Sequence, residues 1–305
     1  MDNPDFNNEE YMKQVKKQWE AMGIDPNTMM EYMNNAMKMQ QDAMKMAQEQ
    51  MQNNPLLKNM AEALEDGAND PLGLLDDSPE LKEDSDLTED ELKAVACGAN
   101  LAYLNLEYLN TLKTHKPTGQ ILAMLEGSWD IQSREDLQET LKWLENSGHR
   151  KQYNLIWSNL KGIPRAEWGE TIEKLQFQLI AENENPENLY EYSVNIVNGY
   201  AQMHEAGCFQ KSKEPNILSW DLGRAINLCR WAYDVEFLSK EEATNLIKKY
   251  ADMCYKTYNS WDSLGEGYIM GLSMWSGDPD RTEEMIEEQK ILLSHENSLW
   301  TKIKW

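Results

Sequence analysis

The segment SWDSLGEGYIMGLSMW, residues 260–275, decides the fold class, because its apolar side chains recur every three or four positions. An α-helix turns once in about 3.6 residues, so this spacing puts them on one helix face. Ser263, Gly267 and Gly271 form a second stripe of small side chains, which predicts close approach by a neighbouring helix. The apolar face consists of Trp261, Leu264, Tyr268, Leu272 and Trp275.

The same helical periodicity continues through residues 88–305, and no stretch there alternates apolar and polar residues as a half-buried β-strand does. We therefore predict an all-α protein, in which a multi-helix globular domain follows an N-terminal Met-rich helical extension. Helix-start signals such as the capping box Thr88–Glu91 and the cap Ser133 set the expected boundaries. The predicted helices cover about residues 88–112, 119–126, 133–147, 150–160, 164–183, 185–207, 217–236, 239–258, 260–276 and 280–303.

The N-terminal part of the chain has a different composition from the rest. Twelve of the 18 Met lie within the first 60 residues, whereas ten of the 11 Trp follow residue 128. We predict a Met-rich helical region at 1–64, an acidic linker at 65–90 and the all-α domain at 91–305. Met side chains are flexible and form adaptable binding surfaces, although the same helix could instead pack on its own domain. The candidate partner-binding residues are Met30, Met33, Met37, Met44 and Met51.

The chain is strongly acidic, with a formal net charge of −24. Nucleic-acid backbones and anionic membrane surfaces attract basic patches, so we expect neither as a partner. No apolar run is long enough for a transmembrane helix, and the N-terminus lacks the pattern of a signal peptide. None of the four Cys lies in a C-x-x-C pair. Free buried thiols fit a reducing compartment, so we expect a cytoplasmic protein.

The tripeptide Ser-Trp-Asp occurs three times, at 128–130, 219–221 and 260–262. The spacings of 91 and 41 residues differ and the flanking sequences do not align, so it is not an internal repeat. We expect Ser219 and Ser260 to be helix N-caps, each followed by an Asp in the first turn. The first copy precedes a better cap, Ser133, and should lie in the approach to a helix.

A candidate ligand pocket combines the Trp residues of these tripeptides with nearby charges. Asp221 and Arg224 are three residues apart and can pair, and the guanidinium can lie over a Trp ring. Trp-walled pockets with a few polar groups are typical ligand sites, although each charge could equally stabilise a helix end locally. The candidate residues are Trp129, His149, Arg150, Trp220, Asp221, Arg224, Trp261 and Asp262.

No other motif indicates a specific chemistry. His204 and Cys208 could form half of a metal site, but no second pair accompanies them. Asp262 and Glu266 are four residues apart and could act together, although solvated charges at a helix start are the simpler interpretation. There is no phosphate-binding loop and no nucleophile elbow. We therefore expect no metal and no cofactor.

Three segments together resemble the bacterial domain-of-unknown-function family 1266. They are WDIQSREDLQETLKWLENSGHRKQY, SWDLGRAINLCRWAYDVEFLSKEEA and YNSWDSLGEGYIMGLSMWSG, and the resemblance covers about residues 125–278. It implies a bacterial, cytoplasmic domain and brings no established activity. The matching positions are Trp129, Gly148, His149, Arg150, Asp221, Arg224, Ser260, Trp261, Tyr268, Gly271 and Trp275.

These observations favour a protein-interaction or regulatory module without catalysis, whose partner is another protein. The alternative is an enzyme, possibly a hydrolase, or a small-ligand binder that uses His149, Asp221 and Arg224 in the Trp-walled pocket. Convergence of these side chains in one concave pocket with perturbed pKa values would favour the alternative. Burial of each charge in its own local ion pair would favour the module.

Overall fold

The computed structural model describes residues 78–181, 188–210 and 215–305, which contain α-helices and no β-strand. The all-α prediction is confirmed for these residues. Residues 1–77, including the candidate partner-binding Met residues and half of the predicted linker, lie outside them. The helices are α1 Glu89–Ala96, α2 Ala99–Leu104, α3 Thr118–Trp129, α4 Arg134–Asn146, α5 Arg150–Leu160, α6 Trp168–Ala181, α7 Leu189–Glu205, α8 Leu218–Asp234, α9 Lys240–Thr257, α10 Trp261–Ser276, α11 Pro279–Ser294 and α12 Leu299–Lys302.

Helix α8 lies at the centre of the described domain, because residues 218–232 are all buried. It packs against α9, α10 and α4, and more weakly against α2 and α3. Its buried face includes charged residues, which are costly to remove from water unless they are paired. Arg230, for example, donates to Glu107 Oε2 at 3.0 Å, while Trp231 Nε1 donates to Glu107 Oε1 at 2.7 Å.

The close contact between α8 and α10 depends on the small-residue stripe. Gly271 lies so near Trp220 that a Cβ atom there would overlap the Trp side chain. A Cβ at Gly267 would likewise overlap the backbone oxygen of Asn216. The stripe therefore serves close packing, and it lets Trp220 lie across the face of α10.

Several helix starts have the predicted caps. Thr88 and Ser260 each form a capping box, and Ser133 accepts a hydrogen bond from the backbone of Asp136. The prediction for Ser219 is wrong. Helix α8 starts at Leu218, whose N–H donates to Asn216 Oδ1 at 2.9 Å, and the buried Ser219 hydroxyl donates to Leu264 O at 2.7 Å.

Two predicted helices are interrupted. The helix expected at 88–112 breaks at Gly98, whose carbonyl accepts from Asn227 of α8 at 2.8 Å, and the second piece ends at Leu104. The helix expected at 280–303 ends at Ser294, and a new one begins after the cap Ser298. The first helix is interrupted by its contact with α8, and the second by the cap Ser298, although the helical periodicity continues through both places.

Part of the predicted linker packs on the helical domain. Lys82 N donates to Asn110 Oδ1 at 2.8 Å, and Asn110 Nδ2 returns a bond to Lys82 O at 2.7 Å. Leu87 is buried beside α1. The compact unit therefore begins at Ser78, within the segment 65–90.

Candidate functional site

Asp221 is the centre of a buried polar network between α8 and the junction of α4 with α5. Its carboxylate has no exposed surface and accepts hydrogen bonds from four donors. They are the backbone N–H of His149 at 3.0 Å, the backbone N–H of Arg150 at 3.2 Å, Arg150 Nη1 at 2.8 Å and Arg224 Nη2 at 2.9 Å. Asp221 thus caps the N-terminus of α5 from another helix, which suits the positive end of a helix.

The sequence Gly148-His149-Arg150 shapes this junction. Gly148 has φ 52°, a left-handed conformation that favours glycine, and a Cβ there would overlap the Asp221 carboxylate. Arg150 Nη1 also donates to Leu144 O at 2.5 Å, and its Nη2 donates to the carbonyl of Glu145. One side chain therefore satisfies free carbonyls at the end of α4 and the carboxylate that caps α5.

His149 is neutral and held in one tautomer. Arg224 Nη2 lies 2.9 Å from His149 Nδ1, and a guanidinium can only donate, so Nδ1 accepts and Nε2 carries the proton. Burial, together with the nearby charge of Arg224, lowers the pKa of His149 to about 3. The imidazole is therefore uncharged at neutral pH.

Arg224 lies close to two Trp rings. Its guanidinium carbon lies 4.1 Å from the Trp220 ring centroid and 5.4 Å from that of Trp129, within the range of cation–π attraction. Its Nε donates to Trp220 O at 2.8 Å, and Nη2 serves Asp221 and His149. Among the residues that the structure describes, Nη1 has no hydrogen-bond partner. The side chain is 8% exposed, at the wall of a pocket.

This pocket has a volume of about 810 Å³, which falls in the range of small-molecule sites. Trp129 and Asp130 at the end of α3 form one side, and Trp220 and Arg224 on α8 form its inner wall. Ten of the nineteen lining residues are Trp, Tyr, Leu or Met. The other lining residues are Leu101, Leu104, Asn105, Met124, Glu126, Gly127, Ser128, Thr140, Trp143, His149, Trp231, Tyr268, Leu272, Trp275 and Arg281.

The structure brings six of the eight candidate residues together. Trp129, His149, Trp220 and Arg224 line the pocket, and Asp221 and Arg150 lie behind them and hold His149 and Arg224 in place.

Trp261 and Asp262 lie elsewhere. Trp261 stacks on Trp300 with ring centroids 5.6 Å apart and donates to Ile303 O at 2.8 Å. Asp262 accepts from Gln289 Nε2, at 3.4 Å to its Oδ1. The third Ser-Trp-Asp copy anchors the C-terminal segment instead.

Several pocket residues were not among the candidates. Trp143 and Trp275 lie at the pocket, where they are 40% and 51% exposed. Trp275 belongs to the apolar stripe of residues 260–275, whose periodicity indicates burial and not an open pocket wall. For Trp143, a large aromatic side chain on the polar face of a predicted helix was an available signal. Nothing in the sequence indicates that Arg281 lines a pocket, because charged residues are common near a helix start.

The remaining chemistry-bearing groups are dispersed. In the described ranges no group of three or more His, Cys, Asp or Glu side chains is placed to hold a metal ion. All four Cys are free thiols, and burial raises the pKa of Cys208 to about 11. No helix within the described part of the chain is both long and apolar enough to cross a membrane.

The family model described as "Protein of unknown function (DUF1266)" matches residues 124–305. No curated protein and no solved structure gives a significant match. The matched segment includes the Asp221 network and all of the pocket lining except Leu101, Leu104 and Asn105. Because this match spans more than half of the 305 residues, the chain belongs to the DUF1266 family.

Proposed function

We propose that this protein binds a small molecule in the Trp-walled pocket and does not transform it chemically. The observation that supports this most directly is the inner wall, where Trp220, His149 and Arg224 face a largely apolar pocket of about 810 Å³. A concave aromatic site with convergent polar groups is typical of ligand recognition. Ligand-dependent regulation is a function that such a site can serve without catalysis.

The hydrogen bonding argues against general-base catalysis. A carboxylate has about four acceptor positions, and Asp221 uses them for four donors, so none is left for a substrate proton. The lone pair of His149 at Nδ1 accepts from Arg224, and Nε2 already carries a proton. Asp221 and His149 Nδ1 therefore hold the site together, and neither is free to take a proton from a substrate.

The predicted binding of a protein partner involves another part of the chain. The Met side chains from Met30 to Met51 lie outside the described residues, so this remains a prediction. A ligand-binding domain joined to a partner-binding segment would together form a regulatory module.

The ligand proposal can be tested with a pair of matched glycine substitutions on α3. Gly127 lines the pocket and Gly119 does not, and a Cβ at either position meets no atom within 4 Å. Gly127→Trp should therefore fill the pocket without disturbing the backbone, while Gly119→Trp leaves the pocket open. Ligand-observed NMR with a set of neutral, cationic and anionic aromatic compounds measures binding to the full-length proteins.

We expect compounds to bind the wild-type protein and Gly119→Trp. Gly127→Trp should bind them at least roughly tenfold more weakly, which corresponds to a loss of about 1.4 kcal/mol in binding free energy. Equal binding to all three proteins would place the site elsewhere and overturn the proposal. Failure of every compound to bind the wild-type protein at millimolar concentration would overturn it as well.

A further inference from the structure

The charges behind the pocket do not cancel. Arg150 and Arg224 are guanidiniums, Asp221 is the carboxylate they share, and the neighbouring His149 is neutral. Arg224 is buried, so its charge is poorly screened by water. The cluster thus has one positive charge more than it has negative charges, and Arg224 presents that charge to the pocket.

The polar groups of the inner wall are all donors. A guanidinium has five N–H groups, and Arg224 uses one at Nε and two at Nη2, which leaves the two at Nη1. His149 Nε2–H has no partner among the described residues, and Trp220 Nε1 is a buried donor that also lacks one. A buried donor without a partner, such as Trp220 Nε1, is costly, so the wall favours a ligand that supplies acceptor oxygens.

The surrounding walls favour a ligand with a flat aromatic ring. Trp129 and Trp220 both lie close to the guanidinium, and Trp220 and Trp275 have ring centroids 6.0 Å apart. Aromatic ligands stack on such rings in offset or edge-to-face arrangements. Aliphatic side chains such as Leu272 complete an apolar surface.

We infer that the ligand is an aromatic monocarboxylate, whose carboxylate accepts from Arg224 Nη1 and His149 Nε2 and whose ring packs against the Trp side chains that line the pocket. This inference rests on the proposed ligand-binding function. The exposed carboxylates Glu126 and Asp130, which also line the pocket, disfavour a second negative charge on the outer end of the ligand. Arg281, the other cation of the lining, already pairs with Glu284 at 2.6 Å. The ligand therefore has one anionic group, at its inner end.

Three matched probes test the ligand class on the full-length protein: naphthoate, the corresponding naphthamide and the corresponding naphthylmethylamine. They share one ring system and differ in the charge of the polar group. Isothermal titration calorimetry should show naphthoate binding roughly tenfold or more tightly than the amide, because hydrogen bonds to a charged group are stronger than those to a neutral one. Gly127→Trp should weaken the binding of all three.

The outcomes separate this inference from the proposed function. Preferential binding of the amide or the amine, lost in Gly127→Trp, would overturn the carboxylate assignment and leave the pocket a ligand site. Failure of all three probes to bind would count against both. Tighter binding of naphthoate to wild-type protein and Gly127→Trp alike would also overturn the assignment, since the carboxylate would be held outside this pocket.

The role of Arg224 is tested by Arg224→Gln, which removes the charge and keeps donor groups. We expect naphthoate to lose its roughly tenfold advantage over naphthamide while the amide still binds. An unchanged preference would exclude Arg224 as the carboxylate contact. If the variant does not fold, the order of the three probes on wild-type protein still decides the ligand class.

Discussion

His149 is the residue whose role changes most between sequence and structure. The sequence suggested it only as part of a Trp-walled pocket that it shares with Asp221 and Arg224. The structure adds the Arg224 hydrogen bond to Nδ1, which fixes the proton on Nε2 and turns the imidazole into a donor. His149 and Asp221 are 72 residues apart in sequence, so no local pattern could predict this geometry. The Asp221–Arg224 pair, three residues apart on one helix, was predictable and occurs at 2.9 Å.

Stability should depend on the ionisation of His149. The folded pKa is about 3, whereas an unfolded His titrates near about 6.5. Between these values the unfolded chain binds more protons, so the free energy of unfolding should decrease as pH falls from about 6.5 toward about 3. In His149→Asn the side chain can still accept from Arg224 and does not titrate. We expect urea unfolding to show a smaller loss of stability between about pH 7 and about pH 5 in this variant.

The comparison with the wild-type protein controls for the carboxylates, which titrate in both proteins. Parallel pH dependence of the two unfolding free energies would contradict the neutral, buried imidazole.

At the scale of the helices, caps formed by a neighbouring residue and caps formed by a distant residue differ in how well the sequence predicts them. Local caps such as Ser133 and Ser260 follow from residue type and spacing, and both are present. Ser219 has the same residue type but a buried hydroxyl that bonds to Leu264 of α10, because α8 starts earlier. Tertiary packing decides such cases, as it does for the break at Gly98.

Asp221 is a long-range cap that joins α8 to the α4–α5 junction, and its charge should be essential for stability. Asp221→Asn keeps the size of the side chain but leaves Arg150 and Arg224 without a carboxylate. Breaking a buried ion pair typically costs about 3–5 kcal/mol, so we expect a decrease of this size in the free energy of unfolding. Urea denaturation measures it.

Asp130→Asn is the matched control for this substitution. Asp130 belongs to the first Ser-Trp-Asp copy, is exposed and has φ 54°, a conformation that Asn also tolerates. Its unfolding free energy should change by less than about 0.5 kcal/mol. Similar effects of the two substitutions would show that the Asp221 network is not a special source of stability.

For the whole molecule, the sequence determined the fold class and part of the site, but not the pocket. Its walls come from α2, α3, α4, α8, α10 and α11 and the α4–α5 junction, so the pocket exists only after these elements pack together. Trp129 and Trp220 were grouped correctly because they share a tripeptide with Trp261, although this shared motif wrongly suggested that Trp261 joins them. Sequence similarity between segments does not determine where they lie in space.

The central claim, that the Trp-walled pocket holds an aromatic carboxylate, is tested most directly by locating such a ligand. A crystal of the protein grown with bromonaphthoate allows the bromine to be placed by its anomalous scattering. The claim predicts a bromine peak inside the pocket beside its Trp side chains, with the carboxylate about 2.7–2.9 Å from Arg224 Nη1. A bromine peak outside this pocket, or a carboxylate directed away from Arg224, would contradict it.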